Sequence, residues 1–292
     1  MLQPCRTAIE LLTGPSANSL THARPLAIAS PLRLTTGAAR ERKVANIVPK
    51  ELFRLNPLLD RDAFADRYRC NGRVQVRNVL TEVTASEIRK ILASHTPWGM
   101  AGQAGTQSSP EAVEAAQLRT HDGQAKARHI MEASHKAAAA GEYACRFARY
   151  PMLTAYQERW SPDSVQDMLL EYLNTPDFLG LVRDITGIDT LVKADAQATL
   201  FGPGHFLGRH IDSHVAEGWR VAYVLNLAGD DWQPDWGGYL TFLDDDGDIV
   251  EGWRPRFNTL NLFAVPQSHA VSYVPPFAPP QRFAITGWVR DR

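Results

Sequence analysis

A chain of 292 residues with 44% hydrophobic content holds enough apolar material for one large core or two smaller domains. Its formal net charge of −1 offers no general attraction for nucleic acid or an anionic membrane. No apolar run approaches the roughly 20 residues that span a bilayer, so a soluble, cytoplasmic protein is expected.

Residues 1–45 differ from the rest. They carry Arg6, Arg24, Arg33, Arg40, Arg42 and Lys43 against Glu10 and Glu41, among many Ser, Thr, Ala and Pro. An organelle transit peptide has such a composition, but a disordered tail or an over-extended translation start is the expectation. Cys5, Cys70 and Cys145 are an odd, scattered set with no metal-like spacing, expected as free thiols in a reducing compartment.

Leu52, Phe53, Leu55, Leu58 and Leu59 form an apolar cluster ahead of a predicted helix from Asp60 to Arg67. Val74, Val76 and Val79 suggest a short strand. Thr84 opens the next helix, whose Ile88, Ile91 and Leu92 recur at helical spacing. Gly99 to Pro110, rich in Gly, Ser and Gln, reads as a mobile loop. A long helix is predicted over 112–141, interrupted near Gly123, and another over 164–175.

From about Thr190 the period changes. Short segments rich in Val, Leu, Phe and Tyr alternate with Gly, Pro and Asp turns. Eight strands are predicted, over 196–201, 206–211, 219–227, 238–243, 248–251, 259–265, 270–274 and 282–289. With no helix between them, they argue for a closed or double-sheet β structure such as a jelly roll. The expected fold class is α+β. A β core at 190–292 is buttressed by a mainly helical region at 46–189, the two forming one structural unit.

His210 and Asp212 stand two apart on a predicted strand, so their side chains point the same way. His269 closes on them only through tertiary folding. Two imidazoles and one carboxylate cap one face of a metal and leave its other positions open, the mark of non-haem Fe(II) oxygenases. His214 shares the strand face but would lie roughly 13 Å from His210 in an extended chain at about 3.3 Å per residue. His205 falls in a predicted turn, and His121, His129 and His135 in a polar helical region; all five are set aside as ligands.

The last strand, Arg282-Phe-Ala-Ile-Thr-Gly-Trp, places Arg282, Ala284, Thr286 and Trp288 on one face. An arginine and a threonine directed into an apolar barrel are costly unless a ligand meets them. A guanidinium forms a two-point contact with a carboxylate, to which a hydroxyl adds a third hydrogen bond.

These runs resemble the Fe(II)/2-oxoglutarate-dependent dioxygenases, in the prolyl 4-hydroxylase-like branch. The matching stretches are Gln197-Ala-Thr-Leu-Phe-Gly-Pro-Gly, His210-Ile-Asp212, Trp236-Gly-Gly-Tyr-Leu, Asn258–Phe263, Ser268-His269-Ala-Val and the Arg282 run. The resemblance implies a double-stranded β-helix, Fe(II) on His210, Asp212 and His269, and the distal 2-oxoglutarate carboxylate on Arg282, with Thr286 able to assist. It departs in three places. The interval from His269 to Arg282 is long because of the loop Pro275-Pro-Phe-Ala-Pro-Pro280. Asn226 stands where the branch commonly has a tyrosine, with Tyr223 nearby on the same strand but at an odd offset. Leu200 stands where some relatives place a second tyrosine.

The activity so implied is hydroxylation of an aliphatic C–H with release of succinate and CO2, consuming O2, with ascorbate as a possible reductant. A prolyl residue in a peptide or protein is the first substrate expected, and a free amino acid or small metabolite the second. Two loops, Gly99–Pro110 and Gly229–Trp236, are candidates to line the mouth, with Trp232 and Trp236 able to stack on a substrate ring. Two other classes remain as alternatives. A zinc hydrolase shares the ligand types but leaves Arg282 and Thr286 unexplained, and a non-catalytic β-domain would bind a partner without chemistry.

Overall fold

The computed structural model describes residues 53–212, 214–229, 231–280 and 282–292; the predicted tail, with Cys5, lies outside them. Asp60 caps the first helix, α1 (Arg61–Asn71), its carboxylate accepting from the Ala63 N–H at 3.0 Å. Gly72, at φ 64°, ends that helix and turns the chain into strand β1 (Arg73–Arg77). Thr81 caps α2 (Glu82–Ser94), which leads into β2 (Gly99–Ala104) and the short β3 (Glu111–Val113).

Thr120 then caps α3 (His121–Ala139). Gly123 lies in its first turn rather than interrupting it, because a Cβ there would sit 1.9 Å from the Gln117 carbonyl oxygen. Next come β4 (Ala144–Tyr150), α4 (Met152–Gln157), α5 (Val165–Leu173) and α6 (Pro176–Thr186).

The C-terminal half is β throughout apart from two single 3-10 turns. Its strands are β5 (Lys193–Ala194), β6 (Gln197–Phe201), β7 (Phe206–Ile211), β8 (Trp219–Asn226), β9 (Leu240–Leu243), β10 (Ile249–Trp253), β11 (Thr259–Ala264), β12 (Ser268–Val271) and β13 (Arg282–Arg290). The eight predicted strands correspond to β6 through β13.

The strands join in the order β1-β11-β8-β13-β6-β4-β7-β12-β9-β10, with β2 on the flank of β4. This single sheet folds over into two facing layers. β4 makes the turn between them, pairing with β6 through Ala148–Tyr150 and with β7 through Cys145 and Arg146. The jelly-roll expectation holds, but the helical-support region also supplies four strands. Gly99–Pro110, predicted as a mobile loop, contains β2, locked to β4 from Gly99↔Arg149 to Ala104↔Ala144. Its glycines are used for close approach: a Cβ on Gly102 would lie 2.4 Å from Ile130 Cγ2 of α3. Small residues that read locally as a loop are what this crowded sheet–helix contact requires.

Alternation along the larger layer divides its side chains. Leu225, Leu260 and Ile285 face outward and join Ile88, Leu92, Leu169, Leu173, Phe178 and Leu181 from α2, α5 and α6 in the main core. Each such side chain contributes about 1.5–3 kcal/mol through removal from water. The opposite face, with Val224, Thr286 and Trp288, turns into the barrel and lines a cavity. The helices thus rigidify the outer face of the sheet whose inner face carries the site.

Of the cysteines expected as free thiols, Cys145 is free and buried, and burial pushes its pKa up to about 11, so it stays protonated. Cys70 departs from the expectation in being disulfide-bonded. No helix among the described residues is long and apolar enough to cross a membrane.

Candidate active site

β7 and β12 pair antiparallel with His210 opposite His269, which sets the two imidazole rings 4.2 Å apart, centroid to centroid. The chain leaves β7 just before Asp212, and the carboxylate sits between the rings. Oδ1 is 3.8 Å from His210 Nε2, and Oδ2 is 3.8 Å from His269 Nε2. Two donors each about 2.1 Å from one ion lie at most about 4.2 Å apart, so these pairs already meet the requirement. All three ligand atoms fall within 4.8 Å of one another. Among the described residues, this is the one group of His, Cys, Asp or Glu side chains placed to hold an ion.

The outer contacts suit that role. His210 Nδ1 donates to the Gly208 carbonyl at 3.0 Å and His269 Nδ1 to the Gln267 carbonyl at 2.9 Å. A carbonyl can only accept, so each Nδ1 carries the proton and each Nε2 offers a lone pair inward. Burial, and then the neighbouring His210, push the His269 pKa down to about 4, keeping it neutral and ligand-competent at pH 7. Trp288 Nε1 donates to Asp212 Oδ2 at 2.9 Å and fixes the carboxylate plane. The residues present therefore fit Fe(II).

The cavity beside the triad has a volume of about 290 Å3. That is near the lower end of the roughly 300–1,000 Å3 usual for small-molecule sites. Its walls include Phe147, Phe201, Leu207, Val271 and Val224, and Arg282 enters it from the first residue of β13. Arg282 is 2% exposed, and its guanidinium lies 4.5 Å above the Phe201 ring. Its Nε has no hydrogen-bond partner, and no carboxylate among the described residues pairs with it. Burial drives its pKa down to about 9, so the charge persists at pH 7 without a counter-anion. A dicarboxylate reaching from the triad to Arg282 would supply that missing charge.

The other expected residues separate. Thr286 lines the cavity but stands four residues along the same strand face from Arg282, about 13 Å at about 3.3 Å per residue. Its hydroxyl is therefore placed toward the triad half of the cavity. Asn226 is buried opposite Ala284, with its amide turned back to the Val224 carbonyl at 3.4 Å.

Tyr223 is a correction. The residue set across from Thr286 on β8 is Val224, and Tyr223 beside it points into the helical core. There its ring meets Phe178 edge-on at 5.6 Å, and its hydroxyl donates to the Asp195 carbonyl at 2.8 Å. Its hydroxyl is thus engaged on the core side of the strand and not offered to a co-substrate. Val224 and Asn226 share the face of β8 opposite to Tyr223, and of the two only Val224 lines the cavity.

His205 takes the turn role expected of it, its Nδ1 accepting from the Gly202 N–H at 3.1 Å. His214 opens a 3-10 turn at His214–Glu217, and its side chain lies outside the described set. The mouth-loop expectation fails for Trp232, which is 1% exposed and donates to the Gly237 carbonyl at 3.0 Å. Neither Trp232 nor Trp236, nor any residue of 99–110, lines the cavity.

Several lining residues escaped the sequence, notably Tyr143, Arg149, Gln197 and Thr199. Arg149 faces inward from β4; its Nη2 approaches Glu114 Oε1 at 3.5 Å, and its Nε is buried without a partner. Nothing local distinguishes it from the outward Arg146 in the same strand. Alternation alone would separate the two, once β4 was recognised as a strand.

Comparison with known proteins agrees with this geometry. A family model described as the 2OG-Fe(II) oxygenase superfamily matches residues 196–290. No curated protein sequence matches the chain. Among solved structures, a prolyl hydroxylase from Trichoplax adhaerens in complex with a hypoxia inducible factor peptide fragment is similar at TM-score 0.51 and 17% identity, covering 79% of this chain and 89% of that one. A 2OG-Fe(II) oxygenase family oxidoreductase from Burkholderia pseudomallei is similar at TM-score 0.50 and 14% identity, covering 82% and 94%. At such identities the likeness is one of fold. The matched span, residues 196–290, contains His210, Asp212, His269 and Arg282, so this part of the chain carries a 2OG-Fe(II) oxygenase domain with all four residues of the site in place.

Proposed function

We propose that the protein hydroxylates an unactivated aliphatic C–H, with a prolyl residue of a peptide as the substrate class to test first. The observation that carries the hydroxylase reading is a largely apolar-walled cavity running from an open-faced His-Asp-His group to an arginine without a counter-anion among the described residues. The prolyl assignment draws on the similar fold solved with a peptide fragment bound.

His210, Asp212 and His269 would hold the iron, and Arg282 the far carboxylate of 2-oxoglutarate. With both bound, the site supplies oxidative decarboxylation by O2, giving succinate and CO2 with one oxygen atom in succinate and the other in the substrate hydroxyl. The chain's own residues do the positioning. Arg282 neutralises and orients the co-substrate, while Trp288 holds the Asp212 carboxylate in one plane. Phe147, Phe201, Leu207 and Val271 exclude water from the reacting end.

A second reading, hydroxylation of a small acidic molecule, is favoured by Arg149. That arginine adds a second cation to the wall beside Glu114, and among the described residues neither Trp232 nor Trp236 lines the cavity.

Both readings are tested by anaerobic Fe(II) titration with 2-oxoglutarate, following the visible metal-to-ligand charge-transfer band. Aerobic incubation with proline-containing peptides and with amino-acid pools follows, scored for succinate release and gain of one oxygen by mass. A band absent from folded wild type would sink the oxygenase chemistry. Succinate coupled only to free small molecules would overturn the prolyl assignment.

A further inference from the structure

The sheet does not close on itself. β1 pairs only with β11 and β10 only with β9, and the two free edges approach across a seam. At one end the seam is neutralised. Arg73 Nε donates to Glu251 Oε2 at 2.6 Å, Arg73 Nη1 donates to Gln267 Oε1 at 3.0 Å, and the guanidinium lies 4.5 Å over Phe242.

Two residues further along β1, on the same face, Gln75 donates to Asn261 Oδ1 at 3.1 Å. Two more residues along comes Arg77, and here the pattern of pairing stops. Arg77, Arg254 and Arg256 line one cavity of about 370 Å3 together with Tyr239 and Trp253. No carboxylate among the described residues pairs with any of the three.

Three guanidiniums gathered without a counter-charge repel one another. The pKa of Arg256 is lowered by burial first, and then by Arg77 and Arg254. Arg254 Nε is shut off from solvent with no hydrogen-bond partner, which leaves its desolvation uncompensated. The volume is many times the roughly 30 Å3 share of one water, and Arg77, which is exposed, leaves the site reachable from solvent. Guanidiniums match phosphoryl oxygens through paired N–H donors, and three of them exceed what one carboxylate needs.

We propose that this seam pocket is a binding site for a small phosphoryl-bearing anion, held by Arg77, Arg254 and Arg256 and separate from the oxygenase cavity. The anion would tie the end of β1 to the segment after β10, as Glu251 ties the other end through Arg73. Occupancy should therefore stabilise the fold.

The test is calorimetric titration and thermal unfolding of the full chain, without added iron, in sodium pyrophosphate, inorganic phosphate, citrate or chloride at matched ionic strength. The variants are Arg77→Gln, Arg254→Gln, Arg256→Gln and, as a control, Arg282→Ala. The expected result is saturable pyrophosphate binding with a rise in Tm. Affinity should fall at least tenfold in every seam variant that folds and be retained in Arg282→Ala. Arg77 is exposed at a strand end, so Arg77→Gln remains informative if the other two variants misfold. No saturable binding, equal binding in Arg77→Gln, loss only in Arg282→Ala, or a preference for citrate over pyrophosphate would each overturn the assignment.

Discussion

Arg282 bears the clearest unmet charge in the oxygenase cavity, fully enclosed over Phe201 with its Nε unpartnered. Charged hydrogen bonds of this kind are worth about 1.5–3 kcal/mol. Arg282→Ala is therefore expected to weaken 2-oxoglutarate binding roughly 10- to 100-fold in the charge-transfer titration while leaving Fe(II) binding intact. Arg282→Lys should recover only part, since an ammonium lacks the paired fork. Equal co-substrate affinity in all three proteins would remove Arg282 from the site. Trp288 acts one step out. Trp288→Phe keeps a ring but deletes the N–H held by Asp212, and Fe(II) affinity should drop about 10- to 100-fold, read by metal titration with the fold intact. An unchanged affinity would show that the carboxylate is oriented by its neighbours alone.

Among the elements, β13 explains why so few residues suffice to build the site. Its inward residues Arg282, Thr286 and Trp288 meet the co-substrate half, the triad half and Asp212 in turn, while Phe283 and Ile285 anchor the same strand in the helical core. That division was legible from alternation in the sequence. On β8 the odd offset between Tyr223 and Asn226 likewise signals opposite faces, and the structure has Tyr223 in the helical core.

Asn258, just before β11, clamps the segment that joins the edge strand β1 to α2. At φ 50° it accepts from the Leu80 N–H at 2.9 Å and donates to the Leu80 carbonyl at 2.7 Å, both bonds buried. Asn258→Ala strands both backbone groups. The expected cost is about 2–4 kcal/mol in denaturant unfolding, with Asn258→Asp, which retains only the acceptor, intermediate. A loss below about 0.5 kcal/mol would mean that water replaces the clamp.

For the whole molecule, pH exposes a conformational cost that sits away from the metal. His205 is held neutral in the Gly202–His205 turn, its pKa lowered by burial first and further by Arg146. Its folded pKa lies below the ordinary 6.5, so the unfolded chain takes up a proton that the folded chain refuses. The stability so contributed is present above pH 6.5 and is lost as the pH falls below it. Thermal unfolding between pH 7.5 and 5 should show a smaller decline in His205→Asn than in wild type. Parallel declines would place the sensitivity elsewhere, for instance in His269.

The composition change near Thr190, the strand periods and the order His210, Asp212, His269, Arg282 determined the class of fold and the chemistry. Each is a local pattern or a residue type with few alternative uses. Only the tertiary structure decided that β2 and β4 belong to the barrel, that Trp232 is buried, that Arg149 faces the cavity, and that Arg77, Arg254 and Arg256 share a seam. Those outcomes depend on which distant strand pairs with which. Gly99–Ala104 has the composition of a loop until β4 and α3 close on it, and an arginine's partner, or the lack of one, is a property of the surroundings that the fold assembles.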